Sequence, residues 1–301
     1  MICDYEGSDY KTRFWQNADR AYEDAVERIA LRRLLPGYGK RIIEFGAGFG
    51  RLAGLYTGYD EIILLDYSRT LLEQAMERWG GDPRFRFVAA DIYHLPFIAG
   101  VMSTATMIRV IHHIADVPLA LKEIQRVIAP GGVFVFEFAN KRNLKALARY
   151  ALRRQSWSPY DRQPVEFVKL NYDFHPGWML QHLKTAGFTT NRTLTVSYLR
   201  TGVLKRLAPV KFMVYADALL QLTSPLGLLS PSVFTRNISG QMGDAGQGAD
   251  QLAGDAVFCD PRNGARLVRD GDALVCEADG TRWRAQGNYY DFKEPLGHSQ
   301  A

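Results

Sequence analysis

An alternation between short apolar runs and helical spacing constrains this 301-residue chain more than any other feature. The runs 41–45, 62–65, 86–89, 101–108 and 133–138 are too short for helices and lack polar alternation, as strands buried on both faces do. Between them, 70–79 and 118–128 place apolar residues three and four apart, with Leu119, Ile124, Val127 and Ile128 recurring against Lys122, Glu123 and Arg126. Such repetition calls for right-handed crossovers and a mostly parallel sheet with helices on both faces. Ahead of it, 21–34 carries a helical stripe that Pro36 and Gly37 end. Behind it, 141–154, 176–186 and 203–222 read as helical, and 189–198 and 232–238 as two further strands. The expected fold class is α/β: a doubly wound, mostly parallel, seven-stranded sheet.

The sharpest local signal is IIEFGAGFGR, residues 42–51. Glycines at 46, 48 and 50 let the chain turn sharply and approach a ligand where side chains would collide. The following LAGLY reads as the first turns of a helix, whose N-terminal N–H groups would face that ligand. Asp66 closes the second strand, where a carboxylate accepts bonds from two ribose hydroxyls. A pyrophosphate-binding fingerprint wants a glycine at position 51; Arg51 stands there and Glu44 precedes the loop, which favours a nucleoside ligand without a pyrophosphate.

In chain order, EFGAGFG, LLDYS, AADIYHLPF and IRVIHHIADVPLALKEIQRVIAPGGVFVFEF resemble the successive motifs of class I S-adenosylmethionine-dependent methyltransferases, the last being similar to small-molecule enzymes of the quinone-biosynthesis type. The resemblance covers residues 38–140 well and 175–238 loosely. It implies a Rossmann-like fold, S-adenosyl-L-methionine as cofactor and methyl transfer as the activity. Carried over by position, it implies that Gly46, Ala47 and Gly48 line the methionine portion and that Glu44 organises the loop and reaches the amino group through water. Asp66 would bind ribose, Tyr67 would lie against adenine, and Asp91 would accept from the adenine amino group. The Ile92 backbone would support the ring, and Met107 belongs to the same cofactor-binding set. A capping role for Asp66 and a buried structural role for Glu44 are the plainer alternatives.

Arg109, His112 and His113 follow the fourth strand at its carboxyl edge, where sites in such sheets form, and are the candidate catalytic residues. A histidine titrates near neutrality and suits general-base work, while Arg109 suits an anionic group or an acidic partner. A histidine that only packs is the simpler role. Methyl transfer asks mainly for alignment and exclusion of water, since the donor is already activated. Substrate contacts are expected from Tyr10, Phe14 and Trp15, and from an aromatic wall of Trp157, Tyr160, Phe167, Tyr172, Phe174, His175 and Trp178.

These readings divide the chain into a methyltransferase domain at 1–238 with helical lid elements at 1–35 and 141–175, a glycine-rich linker at 239–254, and a small β-rich unit at 255–301. The last resembles the zinc ribbon that accompanies some methyltransferases. Arg262 and Asp279 stand where the partners of Cys259 and Cys276 would be, so no closed tetrahedral site and no metal are expected. Segment 141–162 holds seven basic residues against Asp161 and can cover the sheet, lie on a membrane or touch a polyanion. Three cysteines without disulfide spacing, no signal segment and no transmembrane run point to the cytoplasm. The expected partner is a small-molecule acceptor, aromatic or lipid-like because the later helices are apolar. No DNA partner is expected, and a homodimer is left open. RNA or protein methylation and a non-catalytic cofactor-binding module are the rival readings.

Overall fold

A computed structural model describes residues 20–168, 170–240 and 249–298. Tyr10, Phe14 and Trp15 lie outside the described residues. The apolar runs become strands β1 (Gly39–Phe45), β2 (Tyr59–Asp66), β3 (Phe85–Ala89), β4 (Met102–Met107) and β5 (Ile128–Ala139). Two later strands, β8 (Phe188–Val196) and β9 (Ser232–Ser239), follow a small hairpin of β6 (Val165–Val168) and β7 (Asn171–Asp173). The main sheet runs β3-β2-β1-β4-β5-β9-β8, parallel except that β9 is antiparallel to both neighbours.

Alternate residues of β1 and β2 serve opposite faces. Ile43, Phe45, Ile63 and Leu65 enter one core, and Ile42, Ile62 and Leu64 the other. Helices α2 (Arg69–Trp79) and α3 (Val117–Val127) close over these faces. Ser68 caps α2 by accepting from Leu71 N–H at 3.3 Å. Asp116 caps α3 by accepting from Leu119 N–H at 3.0 Å, with Pro118 in the first turn. Helix α1 (Ala21–Leu34) buries Tyr22, Val26, Ala30, Leu31 and Leu34 in the second core.

The helix expected at LAGLY is absent: Ala53–Leu55 forms a single 3-10 turn before β2. Gly54 and Gly58 weaken helix formation there. A Cβ at Gly58 would sit 2.1 Å from the Gly37 carbonyl oxygen, so this crossover is tightly packed. Segment 141–154 yields the shorter α4 (Leu144–Ala151). Helix α5 (Pro176–Thr185) follows the hairpin. Segment 203–222 breaks at Pro209, which lacks a donor N–H, into α6 (Gly202–Leu207) and α7 (Val210–Leu220).

The sheet does not stop at β3. A meander of β10 (Leu267–Asp270), β11 (Ala273–Cys276), β12 (Thr281–Gln286) and β13 (Tyr289–Asp291) joins it through a parallel pairing of β13 with β3. With β14 (Gly297–His298) on β12, the sheet reaches twelve strands where seven were expected. Phe87 N–H bonds the Asn288 carbonyl at 2.9 Å, and Phe292 N–H bonds the Ala89 carbonyl at 2.8 Å. Phe258 packs on Phe97 at 5.3 Å and on Tyr290 at 4.4 Å between ring centroids. In the expected linker, the Leu252 carbonyl accepts from the buried Arg41 guanidinium at 2.7 Å. Among the described residues no helix is long and apolar enough to cross a membrane.

Candidate functional site

The glycine loop leaves β1 with left-handed backbone at Gly46, Gly48 and Gly50. A Cβ at Gly46 would meet Val110 at 2.3 Å, so only glycine lets the loop lie against the segment after β4. Asp66, at the end of β2, accepts from Gly48 N–H at 2.7 Å and Ser68 N–H at 2.9 Å. These two bonds orient the carboxylate at the strand end.

Glu44 lies below the loop, buried, and accepts from the Tyr56 hydroxyl at 2.9 Å. Burial pushes its carboxyl up to about 7 against the opposing Tyr56 bond and Arg51 charge. A cavity of about 50 Å³ is lined by Glu44, Gly46, Ala47, Gly48, Arg51 and Arg109, among others. This donor set fits the amino-acid end of S-adenosylmethionine: a small cavity beside the glycine loop, floored by a carboxyl able to ionise against an ammonium.

Tyr67 follows Asp66 and carries the Lys293 ammonium over its ring at 3.9 Å. Asp91 and Ile92 follow β3 at the same edge; Asp91 accepts from Tyr93 N–H at 2.9 Å. Met107 is fully buried in the core beneath the sheet edge, so its side chain is packing rather than cavity wall.

Arg109, the second residue beyond β4, has φ 62°, a left-handed conformation uncommon outside glycine. Its N–H bonds Glu137 at 2.9 Å and its guanidinium pairs with the buried Glu27, which also takes Arg51 at 2.8 Å. Arg109 borders the loop cavity and also a larger one of about 280 Å³, making it the wall between them. His112, His113, Glu137, Asn171, Asp173 and Arg200 line that second chamber. Burial, then the charges of His113 and Arg109, hold His112 well below the usual histidine range, and its buried Nδ1 has no hydrogen-bond partner among the described residues. His113 is also lowered by burial, and its Nδ1 lies 3.0 Å from the Leu170 carbonyl. Burial and the Glu137 charge push Asp173 up to about 6.

The expected aromatic wall divides. Tyr172, Phe174 and Trp178 line a third cavity of about 200 Å³ with Ile114 and Pro164. Tyr160 and Phe167 are exposed, and His175 caps α5 by accepting from Gly177 N–H at 3.1 Å. Along β7, Asn171 and Asp173 face the polar chamber while Tyr172 faces the apolar one.

Sequence reasoning missed Glu137, Asp173, Glu27 and Lys293. Glu137 was detectable as a carboxylate inside an apolar strand run; Lys293 had no local signal, being brought to Tyr67 by the β13–β3 pairing. In the C-terminal meander, Asp260, Cys276 and Asp279 converge with ligand atoms within 4.8 Å. The Arg262 guanidinium bonds Asp260 at 2.8 Å and Asp279 at 2.7 Å, so an internal cation bridges the two carboxylates. Cys259 stands outside this group, its thiol pushed up to about 11 by burial.

The sheet order, with one antiparallel strand beside β5 and a site at the carboxyl edge, defines the class I S-adenosylmethionine-dependent methyltransferase fold. Residues 43–136 match the family described as a methyltransferase domain. A demethylmenaquinone methyltransferase of Clavibacter sepedonicus is 32% identical over 119 residues, covering 38% of this chain and 49% of that one. A malonyl-[acyl-carrier protein] O-methyltransferase of Legionella pneumophila is 30% identical over 114 residues, 36% of this chain and 39% of that one. The chain thus spans half or less of the length of these relatives. Among solved structures, a chain from the complex of the Haloferax volcanii Trm112 methyltransferase activator with a methyltransferase superposes with TM-score 0.53 at 16% identity, covering 75% of this chain and 95% of that chain.

Proposed function

We propose that the chain is an S-adenosylmethionine-dependent methyltransferase acting on a small molecule with a polar reacting group and an aromatic or lipophilic body. The observation that carries this reading is the pair of cavities meeting at Arg109 on the carboxyl edge of the sheet. Relatives named for demethylmenaquinone and for malonyl-acyl-carrier protein support an acceptor other than nucleic acid. In this reading residues 1–238 form the catalytic unit and 255–301 an appended one.

The cofactor supplies a methyl group on a sulfonium, already activated for transfer. Glu44 and the glycine loop hold its amino-acid end, Asp66 the ribose, and Tyr67, Asp91 and Ile92 the adenine. The acceptor's polar group enters the chamber of about 280 Å³, and its apolar body lies toward Tyr172, Phe174 and Trp178. His112 lines this chamber, its Nδ1 has no hydrogen-bond partner among the described residues, and in this reading it accepts the proton an acidic acceptor must lose. Arg109, which borders both cavities, would orient the acceptor's polar group beside the amino-acid end of the cofactor.

Titration calorimetry with S-adenosylhomocysteine, comparing the wild type with Asp66→Ala, tests the assignment. Micromolar binding that the variant loses is expected. A folded wild type that binds none would end the methyltransferase reading and bring back a nicotinamide cofactor or a non-catalytic role.

A further inference from the structure

Five large apolar side chains, Phe212, Tyr215, Leu219, Leu222 and Leu226, recur three and four residues apart along α7 and the 3-10 turn Gln221–Leu226 that continues it, each more than half exposed. The opposite side of this segment is covered. Asp217 accepts from the Tyr22 hydroxyl at 2.6 Å, and Gln221 donates to the Val26 carbonyl at 2.9 Å. The segment therefore has one side that packs on the protein and one apolar side that no other described residue buries.

The stripe is part of a wider surface. Leu144 N–H bonds the Leu229 carbonyl at 2.9 Å, and the Asn140 side-chain amide donates to the carbonyls of Leu228 at 2.9 Å and Ser230 at 2.8 Å, so the start of α4 adjoins the end of the stripe. Helix α4 adds exposed Leu144 and Tyr150, with Leu152 just beyond it, and the Tyr150 and Tyr160 rings stand 6.1 Å apart. Of the seventeen large apolar side chains exposed among the described residues, thirteen lie between Leu144 and Leu226. Ala139, Pro231 and Ser232, on the rim of the polar chamber, lie where α4 meets this turn.

Charge selects the occupant. Segment 141–162 exposes Lys145, Arg153, Arg154 and Arg162 against Asp161, segment 200–211 exposes Arg200, Arg206 and Lys211 and holds no acid, and Asp217, the acid within the stripe, is buried. A second copy would set this positive surface against itself. An anionic bilayer satisfies both components, apolar side chains entering the interface and Lys and Arg meeting lipid phosphates.

We propose that this surface rests on an anionic membrane, with the Phe212–Leu226 stripe at headgroup depth and Lys145, Arg153, Arg154 and Arg162 on the lipid headgroups. The acceptor then reaches the chamber from the bilayer with its polar end first, a step that rests on the methyltransferase reading; membrane binding itself does not.

Co-sedimentation with phosphatidylcholine vesicles, with and without an equal part of phosphatidylglycerol, tests the proposal. The wild type should pellet with the anionic vesicles and stay in solution with the neutral ones. Phe212→Ser with Leu219→Ser, and separately Lys145→Glu with Arg153→Glu, should each weaken binding by about tenfold or more, while unchanged S-adenosylhomocysteine affinity reports an intact fold and site. A wild type that stays in solution with anionic vesicles at low salt overturns the proposal. So does a dimer in analytical ultracentrifugation that Phe212→Ser with Leu219→Ser converts to monomer, since a second copy would then cover the stripe.

Discussion

Replacing Glu44 by Gln should make the ligand-free protein more stable and the cofactor complex weaker. The folded state keeps the Glu44 proton up to about pH 7, whereas an exposed carboxyl releases it near 4.5. The folded state therefore binds more protons in that window, and stability falls as pH rises through it. At about 1.4 kcal/mol for each pH unit, the loss above pH 7 is on the order of 3 kcal/mol. Gln keeps the acceptor for the Tyr56 hydroxyl and carries no charge to desolvate, so it should recover much of this at pH 8 and almost none at pH 4.5. For a chain of this size that is a gain on the order of 5 °C in thermal midpoint. Cofactor binding reverses the preference, because an ammonium facing Glu44 needs the ionised form. Affinity of the wild type for S-adenosylhomocysteine should rise about fivefold from pH 6 to pH 7 and about tenfold by pH 8, where it levels off, whereas Glu44→Gln should bind weakly at every pH. Differential scanning calorimetry at pH 4.5 and 8, with calorimetric titrations across pH, measures both. A variant less stable than wild type at pH 8, with a pH-independent wild-type affinity, would refute the reasoning.

Glu27→Gln removes the carboxylate shared by Arg51 and Arg109, and urea unfolding should register a loss of about 3–5 kcal/mol because two guanidiniums lose a buried counter-charge; a loss below about 1 kcal/mol would mean that solvent takes over the pairing. His112→Asn should slow transfer to an acidic acceptor without changing affinity for S-adenosylhomocysteine, and equal slowing for an acceptor with no proton to lose would remove His112 as the base. Asp173, pushed up to about 6, should give the rate profile an acid limb near that pH, which Asp173→Asn abolishes. Arg262→Ala exposes Asp260, Cys276 and Asp279 to one another, so zinc should raise the thermal midpoint of the variant and leave the wild type unchanged.

Much of the architecture was legible because hydrophobic periodicity is local. Residues 21–34 became α1, and the runs ending at Phe45 and Asp66 became β1 and β2, since burial of Ile42, Ile43, Ile62 and Ile63 on two faces leaves little alternative. LAGLY misled because its apolar spacing fits a helix, while Gly54 and the tight approach of Gly58 to Gly37 leave room only for a 3-10 turn. At the site, positions in the strand-end loops were readable from sequence, since glycines and Asp66 must stand where the chain turns. Met107, a cofactor-binding candidate by resemblance, buries its side chain in the core. Contacts such as Arg109 with Glu27 and Lys293 with Tyr67 join residues far apart in the chain, and no spacing rule announces them.

The seam between β13 and β3 also sets an order of assembly. Arg86 and Tyr290, which meet across it, are separated by 204 residues, so during synthesis the outer edge of β3 waits for its partner. At about 5–20 residues per second that wait is on the order of 10–40 s. For that interval Phe85–Ala89, a five-residue strand with four buried side chains, offers its backbone hydrogen bonds to any extended segment nearby. Until β13 arrives the growing protein presents a sticky border, and chaperone dependence should be greatest just before residue 289 leaves the ribosome.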